Sequence, residues 1–250
     1  MKIDLGADPA GDEFDPKDYD LDTRRKRTPS GQTLAKKFPH LEYASIPKIN
    51  EPEKWKLQGW GEIENPFEVS LREMMDLWPE TKIQQDFHCI TGWSLFDTEW
   101  QGVPAAHIVD LVNPHDSVTT VLVHGLDEFS TCLWVEDFLQ GILAYGYKGK
   151  PLSPAHGFPL RYIAPPHLWQ YKSCKWVTGL EFLTKHKLGF WEIRAYSDSA
   201  QVWENDRYAN PTAAKGKSIG AIRKAVLKQG SMEYGVDDAT TTSKQTSGKP

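Results

Sequence analysis

The chain has 250 residues, with 34 Asp plus Glu against 29 Lys plus Arg and a formal net charge of −5 at pH 7. That length is enough to bury a sizeable core in one domain, and the acidic balance excludes the general basic footprint of a nucleic-acid binder. There is no apolar run of about eighteen residues to span a membrane, and Met1-Lys2-Ile3-Asp4-Leu5-Gly6 carries neither an apolar signal segment nor a cleavage pattern, so a soluble cytoplasmic protein is expected.

Residues 1–30 are rich in Asp, Gly, Pro, Lys and Arg without apolar periodicity and read as an irregular arm lying on the core. Trp55-Lys56-Leu57-Gln58-Gly59-Trp60 alternates at short period and reads as the edge of a sheet. Ser70 followed three residues later by Glu73 signals a helix start, with Leu71, Met74 and Met75 on its apolar side and Pro79 as its stop. Val118 through Val123 reads as a strand turning at Gly125, and Leu133 through Gln140 as a short helix before Gly141. Arg161-Tyr162-Ile163-Ala164 reads as a strand halted by Pro165-Pro166, because proline lacks the ladder donor. Lys172, Ser173 and Lys175 follow that strand. Trp176-Val177 and Phe190-Trp191-Glu192-Ile193 read as later core strands, Lys217 through Lys228 as an amphipathic helix, and residues 231–250 as a mobile tail with almost nothing to bury. The predicted class is α+β, a single domain over residues 31–230 with mixed sheet outweighing helix and no internal repeat.

Three cysteines, Cys89, Cys132 and Cys174, are too few for a disulfide scaffold and form no close metal-binding pair; a single Cys132–Cys174 bridge stays open. Cys89 lies in Phe87-His88-Cys89-Ile90-Thr91-Gly92-Trp93. A thiolate donates electron density to a transition metal, so Cys89 is competent as a direct ligand, with a buried structural cysteine as the competing reading. Far downstream, His156-Gly157-Phe158-Pro159-Leu160-Arg161 combines a glycine that permits close approach, a stiffening proline and a planar guanidinium suited to phosphate. Lys172-Ser173-Cys174-Lys175 adds a hydroxyl donor and cations. One soft thiolate and a separate basic, hydroxyl-bearing cluster point to a metal cofactor carrying an anionic group; ordinary solvated charge is the alternative.

These blocks in this order, completed by Phe190-Trp191-Glu192, resemble the molybdopterin-binding domain of the sulfite oxidase family, and most closely its stand-alone, haem-free members. The resemblance covers residues 27–210. It implies that family's mixed-sheet fold, with molybdenum held by one molybdopterin dithiolene and by Cys89. It implies pterin contacts from His156, Arg161, Ser173 and Lys175, with Lys172 as an auxiliary. Ser130-Thr131 matches a family hydroxyl contact, assigned to Ser130, and Phe38-Pro39-His40 resembles a cofactor-covering segment that makes His40 a contact. His88 is a further candidate contact, with satisfied core polarity as its alternative, and Trp93 is expected to wall the open coordination position. Asp97 reads as a helix or turn cap, with a carboxylate near the pocket as its alternative.

The implied chemistry is oxygen-atom exchange with a two-electron change at the metal. Sulfite oxidases of the family place a basic environment after the cysteine, whereas this chain has Ile90-Thr91-Gly92-Trp93. Reduction of an S-oxide or N-oxide is therefore the expected reaction, with sulfite oxidation and catalytically silent molybdopterin binding as alternatives. The expected partners are a small oxygenated substrate or sulfite and a separate electron donor or acceptor. The family's fused haem domain and C-terminal dimerisation domain have no counterpart, so a monomer is expected.

Overall fold

The computed structural model describes residues 14–41, 43, 45–209, 218–222 and 224. The expected helix over 217–228 is represented by helical residues 219–222; the tail at 231–250 and the first thirteen residues lie outside the described residues. In chain order the strands are β1 (Thr33–Leu34), β2 (Lys56–Gly61), β3 (Phe67–Ser70), β4 (Thr81–Cys89), β5 (Trp93–Pro104), β6 (Thr120–Gly125), β7 (Ser130–Trp134), β8 (Ile142–Tyr147), β9 (Lys150–Pro151), β10 (Arg161–Ile163) and β11 (Val177–Leu183). The helices are α1 (Leu21–Arg27), α2 (Leu71–Leu77), α3 (Ala105–Val112) and α4 (Val135–Phe138).

The strands form two mixed sheets, so the expected α+β class with sheet dominant holds. One sheet runs β1-β5-β8-β10, with β4 on β5 and β9 on β8; the other runs β3-β2-β11-β6-β7. Parallel pairs occur at β1–β5 and β2–β11, and the remaining ladders are antiparallel. The first sheet carries an aromatic core in which Phe38, Phe87, Trp100 and Tyr147 meet, while a larger aliphatic core with Leu57, Val121, Phe138 and Leu180 fills the rest. Burying side chains of this size supplies about 1.5–3 kcal/mol each before conformational entropy is counted.

The α2 signal works as read. Ser70 Oγ accepts from the Glu73 N–H at 3.2 Å, Glu73 Oε2 accepts from the Ser70 N–H at 2.6 Å, and Met74 is fully buried. Three expectations need correction. Residues Leu21–Arg27 of the arm are helical rather than irregular, capped by Asp20, and Arg27 ties the arm to the β4–β5 hairpin through Asp86 at 2.5 Å and Asp97 at 2.7 Å. Leu133 and Trp134 complete β7, pairing with Val121 and Thr120, so the helix there is only α4; the ladder outcompetes local helix propensity. Phe190–Ile193 is not a strand: the Phe190 N–H bonds Ser130 O at 2.7 Å and the chain then makes one 3-10 turn over Glu192–Arg194. All three cysteines are free, so the open Cys132–Cys174 bridge does not form. Among the described residues no helix is long and apolar enough to cross a membrane.

Candidate active site

Strand alternation decides which side chains of the cysteine block work together. Cys89 and Trp93 are cross-strand partners closing the β4–β5 hairpin, and Phe87 lies two residues before Cys89 on the same face. The Phe87 and Trp93 rings stack with centroids 5.6 Å apart. The Ile90-Thr91-Gly92 turn is drawn tight by the Gly92 N–H, which donates to Cys89 O at 3.1 Å, and glycine suits the position because its φ is +98°. Phe87, Cys89 and Trp93 line a cavity of about 330 Å³. Burial pushes the Cys89 thiol up, offset in part by the Thr91 hydroxyl at 3.2 Å and by the charges of Arg161 and Arg207.

Arg161 enters this cavity from β10. Its guanidinium is buried among rings, 5.6 Å from the Phe38 centroid, 5.4 Å from Phe87 and 5.5 Å from Trp100. Burial lowers its pKa to about 10, which leaves it cationic at neutral pH. Nη1 donates to His156 O at 3.1 Å, but Nε is buried without a partner, as is the Trp93 indole Nε1. Two buried donors without partners beside one cavity are a costly arrangement unless a ligand accepts from them.

His156 supports the lid of the cavity. Its Nδ1 lies 2.9 Å from Ser153 Oγ and its Nε2 3.3 Å from Phe38 O, fixing the Phe38-Pro39-His40 segment; the His40 and His156 rings are 5.9 Å apart. Lys175 Nζ donates to Ala155 O at 2.8 Å, and the Trp176 indole donates to Pro154 O at 2.9 Å. Gly157 has φ +104°, and a Cβ there would come within 3.1 Å of Lys175 Cβ and 3.2 Å of Arg161 Cβ. Glycine thus lets the two cationic residues stand side by side. Ser173 Oγ lines the same cavity, accepting from the Ala164 N–H at 2.9 Å and donating to Gln170 Oε1 at 2.6 Å.

The cavity therefore collects His40, Cys89, Trp93, His156, Arg161, Ser173 and Lys175 from segments far apart in the chain. It does not collect His88, Ser130 or Lys172. His88 follows the alternation to the opposite face of β4, where Nδ1 lies 2.9 Å from Ser94 Oγ; burial lowers its pKa to about 4 and keeps it neutral. Ser130 lies on β7 opposite His124, and its carbonyl anchors Phe190. Lys172 is fully buried and donates to Glu192 Oε1 at 2.7 Å and Cys132 O at 2.8 Å. Asp97 is neither a cap nor a cavity residue but an ion-pair partner of Arg27.

Residues not assigned a site role from the sequence complete the walls. Tyr171, Trp191 and Tyr196 line one side, and Phe129 and Asp127 join them near Lys175. Burial raises the Asp127 carboxyl, with its own turn amides and Lys175 opposing. Arg207 stands outside and braces the cysteine turn, donating to Ile90 O at 2.5 Å and Ser30 O at 3.0 Å while stacking over Trp169 at 4.2 Å. No spacing or motif marks Arg207; only the fold brings it to residue 90.

Residues 43–191 match the oxidoreductase molybdopterin-binding domain family. The chain belongs to that family. Curated relatives agree: an uncharacterized oxidoreductase, YuiH, of Bacillus subtilis is 36% identical over 184 residues, covering 73% of this chain and 92% of YuiH. The catalytic subunit MsrP of a protein-methionine-sulfoxide reductase from Campylobacter jejuni is 25% identical over 192 residues, covering 67% of this chain. The MsrP of Xanthomonas axonopodis pv. citri is 27% identical over 151 residues, covering 52% of this chain. The chain spans only 63% and 45% of those two MsrP proteins. Among solved structures, the sulfane dehydrogenase SoxCD of Paracoccus pantotrophus superposes with a TM-score of 0.53 at 16% identity, covering 58% of this chain and 42% of that one. At that identity the likeness speaks for the molybdopterin-domain fold alone.

Proposed function

We propose that this molybdopterin-binding oxidoreductase reduces an uncharged or weakly charged S-oxide or N-oxide to the corresponding sulfide or amine. The overall change adds two electrons and two protons to the oxide and releases water, with the electrons coming from a separate donor. The fit of the cavity supports the cofactor: its lining brings together a thiol, the cations of Arg161 and Lys175, and buried donors on Arg161 and Trp93 that lack partners. Cys89, a soft sulfur donor lining the cavity, is the protein's proposed ligand to molybdenum.

When bound, the molybdenum–pterin group supplies two-electron oxygen-atom exchange. Cys89, deprotonated on ligation, anchors the metal end. Arg161 and Lys175 hold the phosphate of the pterin, and His156, with His40 and the Phe38 lid, orients it. Ser173, which accepts from the Ala164 N–H and donates to Gln170, would help to hold the pterin's phosphate from the same lining. Phe87 and Trp93 keep water from the metal end, which strengthens the electrostatic hold of the two cations.

The observation that carries the substrate reading is the pairing of Cys89 with Trp93. An indole stands across from the thiol, and the intervening turn of Ile90, Thr91 and Gly92 has no cation to attract sulfite. Of the two cations whose charge bears on Cys89, Arg207 is committed to the carbonyls of Ile90 and Ser30 and to Asn205, and Arg161 is the one assigned to the phosphate of the pterin. We further propose a cytoplasmic monomer whose chemistry resides in residues 31–230.

Anaerobic stopped-flow spectroscopy of the two half-reactions tests this reading. Reoxidation of the reduced holoprotein by a small sulfoxide or N-oxide should outpace reduction of the oxidised form by sulfite. Rapid reduction by sulfite with no reoxidation by any oxide would reverse the assigned direction, and inertness in both would leave a binding protein.

A further inference from the structure

Tyr43, Trp191, Tyr196 and Tyr171 line the cavity and belong to a connected run of aromatic rings, in which Phe190, outside the lining, links Tyr43 to Trp191. The Tyr43 and Phe190 centroids are 4.2 Å apart, Phe190 and Trp191 5.1 Å, Trp191 and Tyr196 4.9 Å, and Tyr196 and Tyr171 5.2 Å. Two of these contacts are edge-on, at 88° and 76°, and two are tilted, at 39° and 42°, so successive members present alternating faces and edges. Such geometry is the one aromatic quadrupoles favour, and a further planar ring can extend it.

The two tyrosines at the ends of the run are hydrogen-bonded through their hydroxyls. The Tyr43 hydroxyl donates to Asp127 O at 3.2 Å and the Tyr171 hydroxyl to Ser197 O at 2.5 Å. Arg194 covers the outer side of Phe190, its guanidinium 3.6 Å from the ring centroid, and donates to Phe190 O at 2.7 Å. Behind Trp191, Glu192 is pinned by Lys172. No ionisable acid or base other than tyrosine contributes to this wall; the charges lining the cavity, Asp127, Arg161 and Lys175, lie on other segments. Trp191 and Tyr196 line the same cavity as Cys89.

We infer, resting on the oxide-reduction reading above, that the substrate oxide carries a planar aromatic substituent that packs against Trp191 and Tyr196. A flat ring gains face-to-edge contact here that a saturated ring of similar size does not, so the wall selects for aromaticity and not merely for apolar bulk. Trp191 is a specificity-determining residue in this arrangement.

Methyl phenyl sulfoxide and methyl cyclohexyl sulfoxide separate the two properties. With the cofactor-loaded protein, KM for the phenyl compound should be about tenfold lower, with kcat changed less. Trp191→Leu should bring the two KM values within about twofold, and Trp191→Phe should retain most of the preference. Equal KM values in the wild type, or a preference that survives Trp191→Leu, would overturn the inference. Equilibrium dialysis of methyl phenyl sulfone and methyl cyclohexyl sulfone against the loaded protein gives a reading independent of turnover. A phenyl preference lost in Trp191→Leu would support the aromatic wall even if neither sulfoxide reoxidised the centre, a result that would count only against the reductase reading. Equal sulfone binding would sink the wall itself.

Discussion

Lys172 Nζ lies 2.7 Å from Glu192 Oε1, and each side chain is 1% exposed. This pair joins the segment carrying Ser173 and Lys175 to the turn that follows Trp191, two stretches that both line the cavity. Burial alone would lower the Lys172 pKa, but Glu192 and Asp198 outweigh it and raise the value. The ammonium is thus charged and paired inside the protein, and breaking such a pair leaves an uncompensated buried charge.

Lys172→Met alone, or Glu192→Leu alone, should cost about 3–5 kcal/mol of stability, whereas the double variant should recover most of the loss. Urea denaturation of the four proteins measures the coupling. Additive losses in the double variant would contradict a buried ion pair.

Arg161→Met should act in opposite directions on two properties. Removing a buried cation with a partnerless Nε should stabilise the cofactor-free chain by about 1 kcal/mol, while pterin retention falls because a phosphate partner worth about 1–3 kcal/mol is gone. Lys175→Ala should lower retention without that gain. Thermal unfolding of cofactor-free protein and the rate of pterin release from loaded protein read the two effects separately; equal release rates in wild type and both variants would remove the proposed anchor.

Cys89→Ser should strip or reorganise the metal centre, because an alcohol is a harder and less readily deprotonated donor than a thiol. Molybdenum content and electron paramagnetic resonance after controlled reduction provide the check. Unchanged occupancy with a sulfur-ligand signature would exclude Cys89 as the ligand.

Two histidines should shape the pH profile of stability from opposite sides. Burial lowers His88 from 6.5 to about 4, so the unfolded chain takes up its proton first and stability is lost as pH falls from about 6.5 toward 4. His186 is raised to about 10: burial opposes the shift, but Asp198 at 2.9 Å and Cys132 reverse it. Its contribution is complete below about pH 6.5 and is lost as pH rises toward 10. His88→Gln should flatten the acid limb and His186→Gln the alkaline limb, as followed by urea midpoints across pH. Unaltered slopes in both variants would refute these assignments.

The readable part of the site was the part built from short blocks with distinctive chemistry. Cys89, His156, Arg161 and Lys175 announce themselves because a thiol, an imidazole and two cations sit among glycine, proline and aromatics at positions that match a family pattern. Lys172, an auxiliary contact by resemblance to its block, has a buried partner that the sequence does not reveal, because Glu192 lies twenty residues away. His88 was recoverable: once Phe87 and Cys89 are placed on one face of a strand, period-two alternation sends it to the other. Tyr196 and Arg207 were not recoverable from pattern alone, since the stretch from Glu192 to Tyr208 is irregular and only tertiary contacts set its course. Phe190–Ile193 misled for a related reason, an apolar run that resembles a strand but is turned by the Glu192 contact.

The ladder between β4 and β5 shifts register between Gln85 and Phe87, at the residue whose carboxylate holds Arg27. The extra residue lies on β5, where Phe96 and Asp97 together stand against Asp86, so β4 itself keeps its alternation and Phe87 and Cys89 share the face turned to the cavity. The bulge on β5, not a change in β4, sets which residue of the hairpin meets Trp93. A one-residue slip of the ladder beyond that bulge would offer imidazole in place of sulfur at the inner surface while altering no side chain of the site.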